Sequence, residues 1–213
     1  MEVRVIYDVS VTKSNTNITL SIRCKEIILT RTSPIIKVLT TRDIKPYYVK
    51  VLGLQKIESE SITRLINKFR SISSLVRVQA IDSDAIFGMN HLIRVLQITL
   101  ELWNRRIRIS RSLESDLLMR LCCTDQLNNS IKLGGLKKDR PACLILISQN
   151  ESAILAVEAT IASYCTHLCR SVLSPRNNKM EKLGMKYGIQ NNNTDRRRFE
   201  NSLVERAALA ELI

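Results

Sequence analysis

Apolar residues recur at two different periods along this chain, and the places where the period changes mark out its elements. From Met89 the spacing is three and four: Met89, Leu92, Leu96, Leu100 and Trp103 fall on one stripe of a long helix. His91, Arg94, Glu101 and Arg105 are assigned to its opposite side. A second helix follows, with Leu113, Leu117 and Leu121 inward, Ser112 as its N-cap, and Glu114 and Asp116 where the helix dipole favours carboxylates. A short third helix pairs Leu127 with Ile131 and stops at Gly134-Gly135, residue types suited to a left-handed cap. Further helices are expected at Ser61–Phe69 and Ala153–Leu173, the latter with Ile154, Val157, Ile161 and Tyr164 inward and Pro175 as its stop. A last helix runs from about Phe199 to the end.

Elsewhere the period is two, or the run is continuously apolar. Strands are expected at 48–54, 76–81 and 142–147, the last buried on both faces. Asp82 or Ser83 is expected to cap the long central helix. Residues 1–46 read as a β-rich extension: a hairpin turning near Asn15–Asn17, then a β-rich piece at Ile35–Thr40. The expected class is mixed α/β, a small central sheet packed by long helices, with residues 47–213 as the main domain. Residues 174–198, rich in Asn, Lys and Arg, mark a change of composition.

Charge changes the picture more than composition does. A formal net charge of +13 favours polyanionic partners. Three basic clusters are candidates for phosphate contact: Arg105, Arg106, Arg108 and Arg111; Lys137, Lys138 and Arg140; and Arg196, Arg197 and Arg198. Only 4% of residues are aromatic, which argues against a stacking platform of several rings. Charges interrupt every apolar run, so no membrane span is expected, and the start lacks the apolar segment of a secretory signal. The six cysteines sit mostly within apolar elements, as reduced core thiols of a cytoplasmic protein do. Cys165, His167 and Cys169 lie one helix turn apart without a second ligand pair, which favours core over metal.

No phosphate-cradling glycine loop or nucleophile elbow is present. His91 reads as a structural hydrogen-bonder, and Glu114 and Asp116 as helix-start charges rather than an acid–base pair. No cofactor motif is found.

The order of these elements resembles a known family. The matching residues are His91, Leu92, Asn104, Ser112, Leu113, Glu114, Leu117, Leu118, Gln126, Ile131 and Gly134, followed by Tyr187-Gly188-Ile189 and Val204-Glu205-Arg206-Ala207-Ala208-Leu209. From about Val49 onward they are similar to the small accessory subunit of the KEOPS complex that binds the Bud-type (PRPK-type) kinase, in its archaeal form. None of these residues is a catalytic signature. The resemblance implies a non-catalytic subunit that docks on the kinase and, through it, on the threonylcarbamoyl transferase subunit. It also implies recruitment of tRNA by its single-stranded CCA end. On this reading the apolar kinase contact falls on Val204, Leu209 and Leu212, and tRNA contact on Arg105, Arg106, Arg108, Arg111, Lys137 and Lys138. The competing expectations are a stand-alone basic RNA- or DNA-binding protein and a small enzyme using Cys122, Cys123 or His91.

Overall fold

The computed structural model describes residues 7–14, 17–24, 35–40, 46–54, 62–164, 170–175, 177–189 and 195–210. Six strands and seven α-helices are described. The strands are β1 (Tyr7–Ser14), β2 (Asn17–Cys24), β3 (Ile35–Val38), β4 (Tyr47–Leu54), β5 (Arg77–Asp82) and β6 (Ala142–Ser148). The helices are α1 (Ile62–Ser71), α2 (Met89–Asn104), α3 (Leu113–Leu121), α4 (Leu127–Gly134), α5 (Glu151–Tyr164), α6 (Asn177–Tyr187) and α7 (Arg196–Ala208). β1 and β2 form the expected hairpin. The other four strands form one antiparallel sheet in the order β3-β4-β6-β5. The fold is therefore the mixed α/β class that the periodicity predicts.

β6 is the centre of the sheet, and all seven of its residues are buried. Successive side chains of a strand point to opposite faces, and here the two faces meet different helices. Cys143, Ile145 and Ile147 share a core with Val49, Val51 and Ile81, covered by Leu92, Leu96 and Leu100 of α2 and Leu113, Leu117 and Leu121 of α3. Leu144 and Leu146 share another with Leu52, Leu54, Val78 and Ala80, covered by Phe69 of α1 and Ile154, Val157 and Ile161 of α5. Lys50, buried on this second face, is held by Glu158 of α5 at 3.0 Å.

Several boundaries differ from expectation. β3, assigned to the N-terminal extension, pairs with β4 and buries Ile36 and Val38 in the α2-side core, so it is an edge strand of the main sheet. Asp82 does not cap the long helix. It ends β5 and caps a 3-10 turn, Ser83–Ala85, by accepting from the Asp84 N–H at 2.9 Å; α2 begins only at Met89, with Gly88 as its N-cap. The helix expected over Ala153–Leu173 is described to Tyr164, and Arg170–Leu173 is a 3-10 turn instead of its last turn. Cys165, His167 and Cys169 lie outside the described residues, as does the side chain of Tyr164.

α6 is a helix that the Asn- and Lys-rich composition hides. It is pinned by Lys179, whose buried ammonium donates to the carbonyls of Ser83 (3.0 Å), Ile86 (3.3 Å) and Val172 (2.8 Å). Among the described residues no helix is long and apolar enough to cross a membrane.

The glycine pair that ends α4 is not left-handed: Gly135 is extended, with φ −64° and ψ 156°. Its neighbour serves close packing instead, because a Cβ on Gly134 would sit 2.5 Å from the Cys122 Sγ. The left-handed turns occur at Arg106 (φ 64°) after α2 and Cys123 (φ 50°) after α3. Each closes its helix with paired bonds. Arg106 N–H donates to Trp103 and Ile107 N–H to Leu102; Cys123 N–H donates to Arg120 and Thr124 N–H to Met119.

Candidate nucleic-acid interface

The N-terminal ends of β4 and β5, the C-terminal end of β6 and the start of α3 surround a cleft of about 740 Å³. Tyr47 and Tyr48 line it from β4, Arg77 from β5, Trp103 from the last turn of α2, and Arg111, Ser112 and Leu113 from the entry to α3. With one Trp, five Tyr and three Phe in the whole chain, three rings on one cleft is a local enrichment. Tyr47 packs against the α2-side core and Tyr48 against the other, so the rings line the cleft from different sides of the sheet.

The arginines of the strap after α2 have different fates. Arg105 pairs with Glu101 one turn back, at 2.5 Å, on the surface. Arg106 is exposed and makes the left-handed turn. That turn sends the strap back across the end of α2, so the Arg108 guanidinium lies 4.1 Å from the centre of the Trp103 ring. Arg111 is exposed on the cleft wall. Arg77 approaches Glu114 of α3 at 3.7 Å.

The strap is held by Asp116. Its Oδ2 accepts from the Ile109 N–H at 2.8 Å and, at a longer 3.4 Å, from that of Ser110. Its Oδ1 accepts from Nε of Arg120 at 2.8 Å, and both side chains are fully buried. Arg120 also reaches the Ala207 carbonyl at the end of α7, at 3.4 Å. Asp116 is thus a buried anchor rather than only a helix-start charge, and neither its partner nor its target was visible in the sequence. Ser112 caps α3 as expected, accepting from the Ser115 N–H at 3.2 Å. The Tyr47 hydroxyl donates to the Asn104 side chain at 3.1 Å, fixing that ring against the end of α2.

Lys137 and Lys138 do not join this cleft. Lys137 lies at the opposite end of β5, 3.7 Å from Asp82; Lys138 is exposed and lines neither cleft described in this fold. Arg196, Arg197 and Arg198 are exposed on the first turn of α7. The three basic clusters therefore do not converge on one cleft.

Of the apolar partner candidates, Val204 is buried in the main core. Leu209 is exposed, and Leu212 lies outside the described residues. Leu127 and Ile131 of α4 are also exposed rather than packed inward.

His91 lies on the buried side of α2, not on its outer face. Its Nδ1 accepts from the Phe87 N–H at 3.3 Å, which places the proton on Nε2. Burial first, and the charge of Arg94 second, lower its pKa to about 3. The ring is therefore neutral in the fold across the physiological range. Below pH 6.5 the unfolded chain takes up a proton that the fold refuses until about pH 3, so stability present above pH 6.5 is lost as pH falls. The slope is about 1.4 kcal/mol per pH unit. Urea midpoints at pH 7 and pH 5 are expected to differ by about 2 kcal/mol more in the wild type than in His91→Gln. Equal differences would remove His91 as the source.

The thiols are poor nucleophiles for the same reason. Burial raises Cys122 to about 11, and Cys123 and Cys143 to about 12, keeping them protonated near neutrality. Among the described residues no group of three or more His, Cys, Asp and Glu could hold a metal ion.

Compared with protein-family models and with curated proteins, the chain matches none.

Proposed function

We propose that this protein is a non-catalytic, RNA-binding accessory subunit of the KEOPS type. It grips the single-stranded CCA end of tRNA and docks on a small Bud-type kinase, in support of threonylcarbamoyladenosine formation. The observation that carries the RNA reading is the cleft in which Tyr47, Tyr48 and Trp103 stand beside Arg77 and Arg111, with Arg108 over the indole. Rings that stack on bases and guanidinium groups that pair with phosphates are what an unpaired RNA end requires. The cleft volume falls within the ~300–1,000 Å³ range of pockets that enclose small ligands. The kinase contact rests on the family resemblance and on the exposed Leu209 at the end of α7.

Trp103 is the only tryptophan, so its fluorescence reports on the cleft directly. Titration with tRNA is expected to change that emission, and removal of the CCA end to weaken binding at least tenfold. Trp103→Ala is expected to cost about 1–3 kcal/mol of affinity, the worth of one stacked base. Affinity should also fall steeply with added salt. Equal binding of trimmed tRNA would sink end recognition and leave a general basic RNA- or DNA-binding protein. For the protein partner, Leu209→Glu is expected to abolish co-purification with the kinase while the subunit stays folded; unchanged co-purification would remove Leu209 from the contact.

A further inference from the structure

A second cleft, of about 250 Å³, opens at the other end of the sheet, where β5 stops and β6 begins. Asp82 and Asp84, Lys132 and Leu133 of α4, Lys137 and Arg140 of the loop before β6, and Lys182 and Lys186 of α6 line it. The six residues of β5 separate it from the aromatic cleft by roughly 17 Å, so the two are distinct.

Five cationic side chains face two carboxylates in this space. The carboxylates are already engaged. Asp84 Oδ2 accepts from Arg140, at 2.5 Å, and from Lys182, at 3.2 Å. Asp82, only 2% exposed, holds Arg140 and Lys137 by charge at 3.5 and 3.7 Å. Burial opposes the charged form of Asp84, yet Lys182, Arg140 and Lys179 keep its carboxyl below the usual range. The acids act as struts that hold the cations in place, and an excess of positive charge is left over. Lys132 has no carboxylate partner among the described residues. Lys186 spends one donor on the Leu133 carbonyl at 2.7 Å. Burial weighs most against the charge on Lys186; Cys122, Asp82 and Asp84 oppose that effect and Lys137 adds to it. A surface built only from balanced ion pairs would not carry this surplus, whereas an anion entering the cleft would relieve it.

We propose that this cleft binds a phosphate or diphosphate group, held by Lys132, Lys137, Arg140, Lys182 and Lys186. Ammonium groups supply charge from several directions, and the Arg140 fork matches a pair of phosphate oxygens. The space is below the ~300 Å³ at which small-ligand pockets usually begin, and its lining has no ring. It therefore suits a phosphate group and not a whole nucleotide with its base.

The test is isothermal titration of the full chain with inorganic diphosphate at constant ionic strength, with sodium sulfate as the competing anion. One saturable site is expected, at least tenfold tighter for diphosphate than for sulfate. Lys132→Glu, on an exposed residue, should weaken it at least tenfold. Lys37→Glu, the same charge change on exposed β3, should leave it within twofold. If both substitutions weaken binding equally, or sulfate binds as well as diphosphate, the attraction is net charge alone and the site is lost. A short single-stranded RNA added to the loaded protein separates the sources. Release of diphosphate assigns the cleft to an RNA backbone phosphate, and retention to a free phosphate ligand. The site stands whether or not the aromatic cleft binds a tRNA end.

Discussion

Asp116→Ala is expected to destabilise the protein by about 3–5 kcal/mol, because it strands the fully buried Arg120 guanidinium without its counter-charge. For a chain of this size that is roughly a 10 °C fall in melting temperature. The lost bonds are not only ionic. The Ile109 and Ser110 N–H groups lose their acceptor, so the strap that carries Arg108 and Arg111 is released. On the proposed function, RNA affinity should therefore fall along with stability. Removing both charges in Asp116→Ala/Arg120→Met should recover roughly half of the loss, since no buried ion is then left unpaired. The strap amides still lack their acceptor and the Ala207 carbonyl now loses its donor as well, so recovery is incomplete. Thermal denaturation of the two variants and the wild type decides it. A single variant less than 1 kcal/mol below the wild type would show that the pair is not buried as described.

The second large effect is expected at Lys179. Lys179→Met keeps the length of the side chain and removes three donors from three backbone carbonyls. Leaving buried acceptors unsatisfied costs about 1–3 kcal/mol each. Part of this is offset because no ammonium need then be taken out of water, and because the Ser83 carbonyl keeps the bond it accepts from the Ile86 N–H. A net loss of about 2–4 kcal/mol is expected, read from the shift of the urea midpoint. Faster amide exchange should appear first in α6 and in the Ser83–Ala85 turn, the two pieces that the ammonium ties together. Uniform acceleration across the sheet instead would mean that the knot supports the fold globally.

Buried charges such as these are what hydrophobic periodicity leaves hidden. The strands β4, β5 and β6 and the inward leucines of α2 and α3 were legible, because a core writes itself in periods of two and of three to four. Arg120 and Lys179 were not, because a charge inside a helix reads as surface until its partners are known. Asp116 is one turn from Arg120, but spacing alone does not say whether such a pair is buried. α6 is hidden in the sequence because its buried positions among the described residues, Lys179, Leu183, Gly184 and Tyr187, include only one aliphatic side chain. His91 reads as outward because the stripe of Met89, Leu92, Leu96, Leu100 and Trp103 is narrower than the buried face, which also takes in Ile93, Val95 and Thr99. The aromatic cleft was invisible for another reason. Tyr47 and Tyr48 read as the start of a strand and Trp103 as core, and an average over the chain cannot report that all three will line one cleft. The glycine pair after α4 misled because glycine serves two ends, left-handed backbone and close approach, and only packing tells them apart.

The position of β6 has a consequence for how the protein is made. β4 and β5 do not touch each other; the strand that joins them is translated last of the sheet. Between the emergence of residue 82 and that of residue 148 from the ribosome, the nascent chain carries two apolar strands with a vacant slot between them. At ordinary elongation speed that interval lasts on the order of several seconds. Throughout it, greasy edges are open to other chains, and a holding chaperone has its natural moment of engagement before Ser148 clears the exit tunnel.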